Sequence, residues 1–314
     1  MRELTLRVFV AGATGGIGKQ LVPRLVEGGH EVHGMTRSES KEAMLRELGA
    51  VPVVADALDP DQVAEAVGMA KPDVIVHQLT ALSGKGMRGL KRRVAITNRL
   101  RSEGTDHLLS AGQAAGVRRF VAQSNYALYA RTGGPVKSEE DPLDPAPPGK
   151  LREGLAAIRH LEQAVLDARW TEGIVLRYGG FYGPGTNMAP GGDLFEMIRK
   201  RRFPLIGNGG GIWSFVHIAD AAEATMAAIE HGKRGVYNIV DDDPAPVAEW
   251  LPNLTRMLNG KKPRRMPRFI VRLVAGESGI VMMTEARGAS NAKAKRELAW
   301  SPAHPTWRQG FAAQ

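Results

Sequence analysis

Leu6–Leu21 reads LRVFVAGATGGIGKQL, and this stretch decides the fold. An apolar run, Arg7–Ala11, enters four glycines within seven residues, Gly12, Gly15, Gly16 and Gly18. It leaves through an amphipathic run near Ile17–Glu27. Glycines at 12, 15 and 18 fit a strand-to-helix turn whose backbone must come close to a pyrophosphate while the helix N-terminus aims its free N–H groups at it. Gly12, Thr14, Gly15, Gly16, Ile17 and Gly18 are therefore the candidate phosphate cradle. A Walker-type loop does not fit, because Ala13 and Gln20 stand where it needs glycine and a hydroxyl residue.

Outward from this loop, short apolar runs alternate with helical ones. Glu31–Met35 precedes a helix at Lys41–Leu48, and Val51–Ala55 precedes one at Gln62–Val67. Val74–Leu79, a helix near Arg101–Ala115, and Arg119–Gln123 continue the series. Such alternation predicts βαβ units and a doubly wound α/β fold with a parallel sheet. The proline-rich segment Thr132–Gly149 reads as an extended loop. It is followed by a helix (Leu151–Ala168), a strand (Gly173–Tyr178), a helix (Ala219–Glu230) and a strand (Gly235–Val240). Residues 1–178 are expected to form mainly the Rossmann dinucleotide-binding domain. Residues 179–314 form a smaller substrate-binding lobe that returns some elements to the core.

The 314 residues are 43% hydrophobic, enough for a sizeable core. With no cysteine, thiolate metal sites, disulfides and cysteine nucleophiles are excluded. Neither a secretory signal nor a membrane-length apolar run is visible, so a soluble, cytoplasmic protein is expected. The net charge is +9, concentrated in Lys85–Arg101, Arg199–Arg202 and Lys261–Arg272. No nucleic-acid-binding motif accompanies these runs, and they read as solvated surface. There is no GxSxG elbow and no HExxH, so no hydrolase or metal site is expected. Glu139-Glu140-Asp141 reads as a solvated acidic patch.

The end of the second strand bears on the dinucleotide. A carboxylate there favours the free ribose of NAD. This chain instead has Thr36-Arg37-Ser38. Arg37, helped by Thr36 and Ser38, is placed to fork onto the 2′-phosphate of NADP, with a plain surface arginine as the alternative. After the third strand, Asp56 and Ala57 are placed near the adenine; helix capping by Asp56 or Asp59 is the competing reading.

AGATGGIG, VVADALDP, VIVHQLTAL, GTDHLLSAGQAAGVRRFVAQSN, IVLRYGGFYGPGT and SFVHIADAAEA resemble, in order, the motifs of the extended short-chain dehydrogenase/reductase superfamily, epimerase/dehydratase type. The closing SNAKAKRELAWSP is similar as well. The resemblance implies a nicotinamide cofactor, with Gln78, Leu79 and Thr80 added to its lining. It also implies a small-molecule substrate and pairing of two copies through the helices flanking the fourth and fifth strands.

The chain departs from that pattern at the chemistry. The superfamily uses a tyrosine with a lysine four residues later, on one helix face. None of the five tyrosines has this partner, and on the helix LREGLAAIRHLEQAVL Gly154 and Ile158 occupy the pair's positions. Asn125 stands at the usual serine or threonine site, with Ser124 beside it, and Arg101 stands where asparagine is common. Tyr178 is the first candidate replacement acid and Tyr126 the second, each with packing as the alternative. His77 reads as structural, His160 as surface, and Asp220 as a helix cap. Substrate contacts are expected from Tyr178–Thr186, Gly207–Trp213 and Met282–Arg287. The expected activity is hydride transfer between NADP(H) and a carbonyl, imine or activated double bond. A sugar-type epimerase/dehydratase and a non-catalytic NADP-binding regulator are the alternatives.

Overall fold

The structure is a computed structural model that describes residues 5–82, 89–149, 151–274 and 276–313. Met1–Leu4 and two members of the first basic run, Lys85 and Arg88, lie outside the described residues. Seven strands form one parallel sheet. They are β1 (Arg7–Ala11), β2 (Glu31–Thr36), β3 (Val51–Val54), β4 (Val74–His77), β5 (Arg119–Asn125), β6 (Glu172–Tyr178) and β7 (Gly235–Ile239). Their order across the sheet is β7-β6-β5-β4-β1-β2-β3. The order reverses beside β1, which pairs with β2 from Arg7↔Glu31 and with β4 from Val8↔Val74. In an open doubly wound sheet that reversal leaves a crevice at the carboxyl ends of the strands, where ligands bind. The glycine loop stands at that point of the chain.

Helices α1 (Gly16–Glu27), α2 (Glu42–Glu47), α3 (Pro60–Ala70), α4 (Leu90–Arg101), α5 (Glu103–Ala114), α6 (Leu151–Asp167) and α7 (Ile218–His231) carry the crossovers and the later helical segments. β1 is a near-continuous apolar run because parallel strands are covered on both faces: Val8, Phe9, Val10 and Ala11 are fully buried. Phe9, Ile75, Phe120 and Val175 from the sheet share one core with Val63 and Val67 of α3, Leu108 of α5 and Leu161 of α6.

Two elements differ from expectation. The helix expected near Arg101–Ala115 is present as α5, and a further helix, α4, stands before it. α4 ends at Arg101, Ser102 takes φ −95° and ψ −80°, and α5 restarts at Glu103. The segment Thr132–Gly149 is not wholly extended loop, because Val136–Lys137 forms a short strand paired with Gly288–Ala289.

The chain divides into two compact units. One comprises residues 1–124, 156–176 and 222–236; the other comprises 125–155, 177–221 and 237–314. The second has its own core, in which Trp250, Trp307, Phe215 and Tyr182 are fully buried. Among the described residues, no helix is long and apolar enough to cross a membrane.

Candidate active site

In the first unit the glycine loop is built by close approach. Gly12 has φ +96°, and a Cβ there would lie 2.8 Å from the carbonyl oxygen of Gln78. At Gly18 a Cβ would lie 2.4 Å from the carbonyl oxygen of Ala13, so only glycine lets α1 seat against the loop. Gly15 donates its N–H to Gly12 O at 2.9 Å and is the N-cap of α1. No side chain caps that helix and no acid occupies its first turn. The unsatisfied N–H groups and the positive end of the helix dipole are thus free to hold an anion, which is what a pyrophosphate requires. Thr14, Gly16 and Ile17 complete the turn.

At the end of β2, Arg37 is exposed and its guanidinium makes no hydrogen bond or ion pair with a described residue. Ser38 accompanies it, donating its N–H to Thr36 Oγ1 at 3.2 Å. The two aspartates after β3 have separate tasks. Asp59 caps α3 through the N–H groups of Asp61 and Gln62, whereas Asp56 accepts the N–H of Leu58 at 3.0 Å and shapes the turn next to Ala57. After β4, Gln78 donates its N–H to Ala11 O at 2.8 Å, which holds Gln78, Leu79 and Thr80 alongside the glycine loop.

His77 fixes the α4–α5 junction to the end of β4. Its Nδ1 accepts the N–H of Leu79 at 3.3 Å, so Nε2 carries the proton and donates to Leu100 O at 3.3 Å and Thr105 Oγ1 at 3.1 Å. The Thr105 hydroxyl in turn donates to Arg101 O at 2.7 Å. Burial, with a smaller contribution from Arg101, pulls the His77 pKa down to about 4, so the ring is neutral at physiological pH. At the end of β5, Ser124 is buried and donates to Glu162 Oε1 at 2.6 Å. His160 is exposed and paired with Asp106 at 2.8 Å.

In the second unit Asn125 accepts the N–H of Ala127 at 2.7 Å, capping a single 3₁₀ turn. Tyr126 is buried, and its hydroxyl accepts the N–H of Ser214 at 2.8 Å. Burial, reinforced by the nearby Asp241 carboxyl, pushes its pKa above the ordinary phenol value. Tyr178 is buried, with its ring centroid 5.4 Å from that of Phe181. Two of the three expected substrate segments meet: Trp213 Nε1 donates to Met282 O at 2.8 Å, and Gly211 N–H donates to Met283 O.

Sequence reasoning missed several buried groups here. Asp241 is 1% exposed, its Oδ2 has no hydrogen-bond partner, and burial raises its pKa to about 8. Glu139-Glu140-Asp141 is not simply a solvated patch. Glu139 accepts the N–H of Asn238 at 2.7 Å and Asp141 pairs with buried Lys137 at 3.0 Å. Asp220 does not cap α7. It lies inside the first turn and accepts from the N–H groups of Ala303 and His304 and from the His304 ring, tying down the C-terminal segment. His217, Asp220 and His304 are the one set of three metal-capable groups found among the described residues. The two imidazoles are stacked with their centroids 3.8 Å apart, and the Asp220 carboxylate already accepts three hydrogen bonds.

Residues 8–240 match the model of the NAD dependent epimerase/dehydratase family. The chain belongs to that family. It is 42% identical, over 98% of its length and 99% of the relative's, to a protein from a Streptomyces species named 3-diazoavenalumate denitrifying reductase. It is 29% identical, over 78% of its length and 71% of the relative's, to the 4-hydroxy-2-methyl-3-oxo-4-farnesyl-3,4-dihydroquinoline-1-oxide ketoreductase of Stigmatella aurantiaca. Among solved structures, DesIV, a dTDP-glucose 4,6-dehydratase from Streptomyces venezuelae with NAD and TYD bound, superposes with a TM-score of 0.76. That match covers 98% of this chain and 94% of DesIV at 20% identity, and so speaks to the fold. As a member of the epimerase/dehydratase family with reductases as relatives, the chain is a nicotinamide-dependent oxidoreductase.

Proposed function

We propose that the chain is an NADPH-dependent reductase whose acceptor takes hydride without a proton from the protein, and that this acceptor is the ring carbon of an arenediazonium ion. The observation that carries the reading is the loss of the tyrosine–lysine pair, with Gly154 and Ile158 in its place, in a chain 42% identical to a denitrifying reductase. Carbonyl reduction leaves an alkoxide that must be protonated, and the pair exists to do that. An arenediazonium ion is already cationic. Hydride and the cation give the arene carbon–hydrogen bond and dinitrogen, two electrons being transferred and no proton consumed.

Within this reading Gly12, Thr14, Gly15, Gly16, Ile17 and Gly18 bind the pyrophosphate, and Asp56 and Ala57 flank the adenine. Gln78, Leu79 and Thr80 line the nicotinamide half. Arg37 and Ser38 select NADP by taking its 2′-phosphate. When bound, the nicotinamide supplies the hydride. Of the chain's own groups, Asn125 orients the acceptor and Ser124 is locked by Glu162, while Tyr178 and Tyr126 shape the pocket. Tyr178 serves as acid only for acceptors that need a proton. Residues 1–178 act mainly as the dinucleotide domain and 179–314 as the substrate lobe. The protein works in the cytoplasm as a dimer paired through the helices flanking β4 and β5, and its basic runs have no nucleic-acid role. A carboxybenzenediazonium salt incubated with NADPH tests the function directly. Stoichiometric loss of NADPH absorbance and release of dinitrogen, above the enzyme-free rate, are expected; binding of NADPH with no oxidation across diazonium, carbonyl and imine acceptors would leave the regulator reading.

A further inference from the structure

Among the described residues, Arg101 is a cation without a counter-charge. It is the last residue of α4 and is held where α4 breaks into α5, against the carboxyl end of β4, by the His77–Leu100–Thr105 contacts. That strand end runs directly into Gln78, whose carbonyl lies so close to Gly12 that a Cβ there would sit 2.8 Å from it. The α4–α5 junction therefore belongs to the same rim of the sheet as the glycine loop. The Arg101 Nε is sealed from solvent with no acceptor. No hydrogen bond or ion pair joins its guanidinium to any described residue. Burial lowers its pKa only to about 10, so it stays charged at neutral pH.

Its neighbours on the same helices behave differently. Arg99 forms a two-armed pair with Glu103, and Arg93, whose Nε is likewise sealed without an acceptor, has another interaction. Arg101 is partly buried with its Nε sealed, and a guanidinium held in this way with no counter-charge is costly unless an anion meets it. A buried donor left unmade calls for an explanation, and an absent ligand is one. The pyrophosphate has its own cradle at α1, and the 2′-phosphate has Arg37.

We propose that Arg101 is a specificity-determining residue that binds a carboxylate of the substrate. The assignment rests on the reductase reading above and deepens it, and the relative's substrate, an "-ate", bears such a group. The planar fork of arginine matches a carboxylate in two-point contact, giving position as well as affinity.

The test compares 3-carboxybenzenediazonium with its methyl ester in the wild type, Arg101→Gln and Arg101→Lys, with NADPH affinity measured alongside. The wild type is expected to favour the acid in kcat/KM by about tenfold to a hundredfold. Arg101→Gln should erase the preference, Arg101→Lys should retain part of it, and NADPH affinity should stay within about twofold. Because the charge is unpaired without ligand, Arg101→Gln should also melt at least about 2 °C higher than wild type in the absence of ligands, whereas a structural arginine would leave a less stable protein. An unchanged acid-to-ester ratio in Arg101→Gln overturns the assignment. An equal loss of NADPH affinity gives the contact to the cofactor and overturns it too. If neither compound is reduced, the reductase reading falls on its own. Calorimetric titration of cinnamate against methyl cinnamate into the NADP-loaded protein then decides Arg101. Tighter binding of the acid that disappears in Arg101→Gln supports it; equal binding, or none of either, refutes it.

Discussion

Replacing Arg37 with alanine isolates the choice of dinucleotide. Arg37 is exposed at the end of β2 and makes no hydrogen bond or ion pair with a described residue, so its removal should cost little packing. Water screens the interaction it is offered to make. At about 4 Å in high dielectric, a unit charge pair is worth about 1 kcal/mol, and a phosphate near neutral pH carries about 1.5 to 2 charges. Charge-assisted hydrogen bonds of the fork bring the whole to about 2 kcal/mol, or roughly thirtyfold in affinity. Fluorescence titration of NADPH should show that loss, while the affinity for NADH, which lacks the phosphate, stays within about twofold. Raising the salt from about 0.05 to 0.5 M should shrink the difference between wild type and variant, since exposed charges are screened. An NADPH affinity that does not change, or wild-type NADH binding as tight as NADPH, refutes the assignment.

Other outcomes follow from the same contacts. Gly18→Ala places a methyl group against the Ala13 carbonyl, and displacing α1 should weaken NADPH binding by about tenfold or more in the same titration. Tyr178→Phe should keep at least about half of the wild-type kcat with a diazonium acceptor but lose about tenfold or more with a ketone, because only the ketone needs an acid. Asp241 keeps a proton in the folded state up to about pH 8 that the unfolded chain releases near its ordinary value of 3.8. Stability should therefore fall as pH rises through that window, by up to about 1.4 kcal/mol per pH unit. Urea denaturation of Asp241→Asn should show a shallower fall between pH 5 and 8; equal slopes would remove Asp241 as the cause.

The sheet was legible because parallel strands are apolar on both faces, and each was bounded by glycine or by an amphipathic run. The loop Gly12–Gly18 was legible for a similar reason, since its backbone positions tolerate almost no other residue. What the sequence hid depended on burial. Leu90–Arg101 is strongly basic and only weakly amphipathic, so α4 read as surface charge while α5 read as a helix. Arg101 looked like one more member of a basic run until its sealed, unpartnered Nε set it apart from Arg99. Glu139 read as solvated because its proline-rich surroundings suggested loop, yet Asn238, about a hundred residues away in sequence, supplies its N–H partner. Asp220 sits in a helix-starting pattern, but its acceptors' donors come from Ala303 and His304. Long-range partners of this kind leave no local periodicity to read.

The central claim is hydride transfer from a bound nicotinamide to an acceptor that needs no protein acid. It is tested most directly with NADPH deuterated at the transferring position, a carboxybenzenediazonium salt and the purified chain in ordinary water. The account predicts dinitrogen release with one deuterium on the product carbon that carried nitrogen, at a kcat flat across about pH 6 to 9. Product without deuterium from the labelled cofactor, or a rate that falls with a single deprotonation in that range, would contradict it.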